Sequence, residues 1–215
     1  GDGIGELKQA VVRNCALLPR PEDQDRPYIY VDRVFAVKGH GTVVTGTQKN
    51  GIFVDNDAVT VLPSGKEVRI KKMESHKHAA PREASNRAAL NLAGIAAEEA
   101  ARGSVVVKKN FFTRSDDFIA TVLLNRGAGE EKKEPGIEVL AGTADIPGRM
   151  AGLLHDGGDR GHSIARIRLE RPGYLFPGQR FVLTKTGGYR IFGGGTVLIP
   201  DYDRDTMLAA LKERA

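Results

Sequence analysis

The chain has 215 residues, with 32 Lys and Arg against 27 Asp and Glu, for a formal net charge of +5. Forty per cent apolar and 27% charged residues exclude a disordered or collagen-like chain, and the single cysteine excludes an intramolecular disulfide. The apolar runs are too short and interrupted for a membrane-spanning helix, and the mild basic excess permits a nucleic-acid partner without requiring one.

Gly1-Asp2-Gly3 shows neither a signal peptide nor an initiator Met, as expected of a piece cut from something larger. Residues 1–17 read as a helix with Ile4, Leu7, Val11 and Cys15 on one stripe, so Cys15 is expected to be buried as a small apolar side chain. Residues 18–27 contain Pro19, Pro21 and Pro27 and read as a linker. From Tyr28 the period changes to two. Strands are predicted at 28–31, 34–37, 42–47, 52–54, 58–62, 67–73, 88–92 and 104–107, with one helical turn at 95–102 ending at Gly103. A second β-rich run gives strands at 117–124, 137–141, 146–154, 163–169, 180–184 and 195–199, with a charged loop at 125–135. Turn signals every eight to twelve residues suit barrels or sandwiches. Residues 201–215 read as the start of a helix, with Asp205 as N-cap and Met207, Leu208 and Leu211 on one face.

Several motifs carry candidate chemistry. Gly41-Thr-Val-Val-Thr-Gly46 has the glycine spacing of a phosphate-binding loop, but Thr47-Gln48 follows where Lys and Ser or Thr are required. A turn leading into a strand is the preferred reading. Gly193-Gly194-Gly195 opens no helix and reads as a place where backbones approach closely. His76 and His78 would share a strand face, and His155 and His162 flank a polar loop, but neither pair has a third ligand at a known metal spacing. No hydrolase or redox constellation is present. Segment 66–87 carries seven basic residues, Lys66, Arg69, Lys71, Lys72, Lys77, Arg82 and Arg87, against Glu67, Glu74 and Glu83. Such a face either neutralises phosphates or is simply solvated. Arg87 directly precedes apolar Ala88-Ala89-Leu90, and Asp32-Arg33 interrupts an apolar strand pair. If buried, these charges need partners, which makes Asp32, Arg33 and Arg87 candidates for one ligand-facing site, the alternative being a structural ion pair.

The residues from Val31 to Phe35, followed by Lys38-Gly-His-Gly-Thr-Val-Val-Thr-Gly-Thr47, resemble the opening of the second domain of translational GTPases of the elongation factor Tu kind. Ser85–Leu92 and Ala101–Gly103 resemble later strands of that barrel. Asp32-Arg33, Arg87 and Gly193–Gly195 bring the closer resemblance to the selenocysteine-specific (SelB-type) elongation factors. Residues 141–149, 168–172 and 177–181 are similar to their third domain, and Gly3–Lys8 to the last helix of their G domain. Asn86 and Gly148 depart from the residues usual in those relatives. A guanine-nucleotide domain and winged-helix domains have no counterpart in the sequence.

The resemblance implies an all-β chain of two tandem β-barrels of the translation-factor type, with short helical flanks at both ends. Residues 1–27 would be the terminal helix of a G domain plus a linker, 28–109 the first barrel, 110–200 the second, and 201–215 a helix leading to a further domain. It implies the tRNA-binding part of a cytoplasmic factor that delivers selenocysteyl-tRNA to the ribosome, and reaches selenoprotein mRNA through domains beyond this piece. GTP and Mg would sit in the missing G domain, making the parent a GTPase and this piece neither an enzyme nor a cofactor carrier. Asp32, Arg33 and Arg87 would form the selenocysteine pocket; Lys66, Arg69, Lys71, Lys72, Lys77 and Arg82 would meet tRNA phosphates. The alternatives are the barrels of a general elongation or initiation factor, and a metal-dependent enzyme.

Overall fold

The computed structural model describes residues 2–17, 24–37, 41–75, 87–125, 136–155, 162–187 and 190–202. Helix α1 (Ile4–Leu17) opens the chain. The first sheet contains β1 (Tyr28–Tyr30), β2 (Arg33–Val37), β3 (Gly41–Lys49), β4 (Ala58–Leu62), β5 (Lys66–Ser75), β6 (Arg87–Leu92) and β7 (Val105–Val107). The second contains β8 (Thr113–Leu124), β9 (Gly136–Ala141), β10 (Ala144–His155), β11 (His162–Leu175), β12 (Arg180–Lys185) and β13 (Ile191–Ile199).

Alternation sets both cores. In β3, Thr42, Val44, Gly46 and Gln48 point inward, and in β6 Ala88, Leu90 and Leu92 do the same. The first sheet closes in the order β1-β7-β4-β5-β6-β3, because β1 pairs with β3 as well as β7. β3 therefore has a shared edge: β1 takes its end at Gln48 and Lys49, and β2 takes the stretch from Gly41 to Thr45. Ile29, Val31, Val44, Phe53, Ile70 and Leu90 fill this barrel. The second sheet is a closed barrel in the order β10-β11-β8-β13-β12-β9, filled by residues such as Phe118, Val122, Ile137, Ile167 and Leu183. On its outside, Arg166 and Arg168 both donate to the Asp117 carboxylate, and the Arg166 guanidinium lies 4.4 Å from the centre of the Tyr202 ring.

A third apolar cluster joins the barrels. Tyr28, Leu62, Val105, Val107 and Phe112 are buried together, with Tyr30, Phe111, Tyr174 and Phe176 packed against them. The Tyr28 ring meets those of Tyr30, Phe111, Phe112 and Phe176 edge-on at 5.3–5.9 Å, the geometry that aromatic quadrupoles favour.

Two expectations change, and a third is met by a shorter element. Residues 52–54 form no strand: the Phe53 N–H donates to the Gln48 side chain and the Val54 N–H to Asp57, so their donors are spent off the ladder while Phe53 is buried. Cys15 is exposed, and no residue of α1 is buried; Ile4, Leu7 and Val11 form the expected stripe, yet each is more than half exposed. The predicted turn at 95–102 is a short 3-10 helix, Glu98–Ala100. The expected helix at 201–215 lies almost wholly outside the described residues.

Candidate nucleic-acid interface

Cross-strand neighbours share a face. Arg33 pairs with Thr45, Thr45 with Ala89, and Thr47 with Arg87. Because Val44, Gly46, Ala88 and Leu90 point inward, Arg33, Thr45, Thr47 and Arg87 all project from the outer wall of the first barrel. Asp32 joins them from the β1–β2 corner. Its backbone N–H donates to the Thr45 carbonyl at 2.9 Å, and its Oδ1 accepts the Thr45 hydroxyl at 2.8 Å. The Arg87 guanidinium grips the same carboxylate with both terminal nitrogens. The three residues singled out in the sequence are thus brought together. They are not a buried charge cluster, however: the Arg87 side chain is 46% exposed and that of Asp32 25%. The apolar neighbours of Arg87 face the other way. Arg87 beside it holds the Asp32 carboxyl below the usual carboxylate range, against a smaller opposing effect of burial, with Thr45 and the Arg33 charge adding to the lowering. The pair likewise raises the Arg87 pKa.

The basic strand β5 runs along the same wall. A bulge between Ile70 and Lys72 inserts one residue, so both Lys71 and Lys72 are exposed. Charge on this strand is partly committed. Lys66 pairs with Glu99 at 3.0 Å, Lys72 with Glu74 at 2.7 Å, and Arg69 donates to the Asn56 carbonyl at 3.3 Å. Lys71 has no ion-pair partner among the described residues. Lys77 and Arg82 lie outside the described residues, as do His40, His76 and His78. Among the described residues no group of three His, Cys, Asp or Glu is placed to hold a metal, and no helix is long and apolar enough to cross a membrane.

Sequence reasoning missed Thr45, which looks like any β-branched strand residue, and Glu99, whose partner stands 33 positions away. The glycine motifs are also resolved. Gly41 and Gly46 both lie in β3, and a Cβ on Gly46 would stand 2.2 Å from the Ile29 side chain and 2.3 Å from the Tyr30 carbonyl. Gly46 is where β1 crosses β3, not part of a phosphate cradle.

No protein-family model matches the chain. Similarity to individual proteins is extensive. Over 203 residues, 93% of this chain, it is 27% identical to the selenocysteine-specific elongation factor of Desulfomicrobium baculatum, and over 202 residues, 92% of the chain, it is 28% identical to that of Haemophilus influenzae. A crystal structure of a bacterial selenocysteine-specific elongation factor superposes over 99% of the chain with a TM-score of 0.76 at 25% identity. The chain is similar over nearly its whole length to selenocysteine-specific elongation factors.

It spans about a third of the length of these relatives: 32% and 31% of the two curated proteins and 35% of the crystallised chain. The similarity to the selenocysteine-specific factors thus covers both barrels and the outer wall that carries Asp32, Arg33 and Arg87.

Proposed function

We propose that these barrels are the aminoacyl-tRNA-holding part of a selenocysteine-specific elongation factor, which delivers selenocysteyl-tRNA to the ribosome. GTP binding and hydrolysis belong, on this reading, to a part of the protein outside this chain, as do contacts with selenoprotein mRNA. The observation that carries the reading is the exposed cluster of Asp32, Arg33, Thr45 and Arg87 on the outer wall of a barrel homologous to such factors.

The chemistry fits a selenol. A selenol is more acidic than a thiol, whose reference pKa is about 8.5, so at neutral pH it is largely an anion. Serine on the same tRNA presents a neutral hydroxyl. Arg33 and Arg87 attract the selenolate by charge-assisted hydrogen bonds, while Asp32, bonded to Thr45, keeps Arg87 oriented before the ligand arrives. Hydrogen bonds to charged groups are worth about 1.5–3 kcal/mol, so one arginine supplies roughly ten- to hundred-fold discrimination. The exposed lysines of β5, Lys71 foremost, would meet tRNA phosphates whatever the amino acid.

Filter binding of selenocysteyl- and seryl-tRNA to the full-length factor tests this. Arg33→Ala and Arg87→Ala should narrow the affinity gap between the two tRNAs, whereas Lys71→Glu should lower both affinities and keep the gap. Lost thermal stability with the gap intact would make Asp32–Arg87 a structural ion pair and the barrels those of a general factor.

A further inference from the structure

The contact between the barrels leaves a cleft of about 630 Å³ that begins beside Asp32. Tyr30, Thr47 and Lys49 line it from the first barrel, and Phe176, Gln179 and Arg180 from the second. Two features of this cleft are unaccounted for by folding. The first is charge. Lys49 and Arg180 approach one space from two separate barrels, and neither has an ion-pair partner among the described residues. The acid in the lining, Asp32, is already engaged by Arg87 and Thr45. Like charges gathered at one cleft repel, and an anion held there relieves the repulsion.

The second feature is Gln179. It is only 4% exposed. Its Oε1 accepts the Phe176 N–H at 3.1 Å, and the turn is pinned further by the Gly178 N–H on the Val197 carbonyl at 2.8 Å and the Val197 N–H on the Gln179 carbonyl at 2.9 Å. The side-chain nitrogen, Nε2, is buried and has no hydrogen-bond partner among the described residues. A buried amide donor without a partner is costly, and in native proteins it signals a missing acceptor. The side chain is held rigidly through its oxygen, so its nitrogen is presented in a fixed place. Gln179 lines the cleft beside the two cations, and an oxygen of an anion held there would supply the missing acceptor.

We propose that this cleft takes a phosphodiester of an RNA strand, with Lys49 and Arg180 on the phosphate oxygens and Gln179 Nε2 donating to a phosphate or ribose oxygen. The inference rests on the tRNA-binding reading above, and adds to it an anchoring point that both barrels build together.

Fluorescence anisotropy of a labelled RNA duplex with a single-stranded 3′ end, titrated with the 215-residue chain over a series of KCl concentrations, tests it. The double variant Lys49→Gln/Arg180→Gln should bind about ten-fold more weakly or worse. Its log–log salt slope should fall by roughly 0.7–0.9, the contribution of one phosphate contact. Gln179→Glu keeps the oxygen that accepts the Phe176 N–H and replaces the donor by a carboxylate. It should stay folded, with a melting temperature lowered by the buried carboxylate, and lose affinity. If wild type binds the RNA and these variants match it in affinity and slope, the cleft assignment is overturned while the tRNA reading stands. If wild type shows no RNA binding, both fall. Adenosine monophosphate in large excess should leave the RNA bound; full displacement by the free nucleotide would make this a mononucleotide site and overturn the assignment to a strand.

Discussion

The hydroxyl of Thr143, in the second barrel, donates to the backbone carbonyl of Val31, in the first, at 2.7 Å. Val31 is the residue before Asp32, so the second barrel holds the corner from which the Asp32–Arg87 pair is built. The same carbonyl also accepts the Gly103 N–H at 3.3 Å, so it keeps one donor if the hydroxyl is lost. Thr143→Val should therefore cost about 1 kcal/mol, the net worth of one hydrogen bond, and lower the melting temperature by roughly 2–4 °C. Calorimetry of the two proteins measures the difference directly.

The triple glycine should tolerate no side chain at its last position. A Cβ on Gly195 would stand 1.9 Å from the Thr121 carbonyl oxygen and 2.9 Å from the Phe181 ring. The first contact is with backbone in a neighbouring strand, which cannot step aside without opening the β8–β13 ladder. Gly195→Ala should cost roughly 1–3 kcal/mol or more, as overpacking does. Gly65→Ala, with nothing within 4 Å of its Cβ position and a backbone φ of +70°, should lose only about 1 kcal/mol, from its left-handed backbone. Urea unfolding curves for the pair should rank them in that order.

Lysines on one strand should differ in their effect on RNA. Lys71 carries a charge with no ion-pair partner among the described residues, whereas Lys66 is held by Glu99. Lys71→Gln should lower the salt slope of RNA binding by about one, and Lys66→Gln by clearly less. Equal slopes for the two variants would show that the Lys66–Glu99 pair opens when RNA arrives.

The Asp32–Arg87 pair should show itself in acid. The folded-state pKa of Asp32 is lowered, first by its hydrogen bonds from Arg87. Its contribution to stability is therefore complete above the ordinary value of about 3.9, and lost as pH falls through the lower folded value. For so exposed a pair the contribution is roughly 0.2–1 kcal/mol. Asp32→Asn should flatten the acid limb of the melting temperature below about pH 4 and leave the shape of the profile from pH 5 to 8 unchanged.

Much of this arrangement was readable before the structure. Alternation of β-branched residues at 42–47, 58–62 and 137–141 locates strands because each side of a barrel wall meets a different medium. The same alternation contains the orientation of Arg87, since Ala88 and Leu90 cannot face inward unless Arg87 faces out. Treating the apolar neighbours as its surroundings led to a buried cluster that does not exist. Phe53 deceived for the opposite reason: a fully buried aromatic flanked by Ile52 and Val54 looks like a strand, and the Gln48 and Asp57 side chains that take the backbone donors are invisible to periodicity. Partners distant in sequence, such as Lys66 with Glu99 and Gln179 at the inter-barrel cleft, leave no local trace.

The shared edge of β3 has a consequence for how such a factor changes over generations. One strand carries Thr45, which tethers the Asp32 carboxylate, Gly46, on which β1 lies, and Lys49 in the inter-barrel cleft, so under the proposed function altering selectivity and altering the union of the two barrels draw on the same nine residues. A lineage that retunes its ligand preference through β3 would have to do so by compensated pairs of changes, while β2 and β6, which flank β3 and bring Arg33 and Arg87 to the same wall, leave room for single steps.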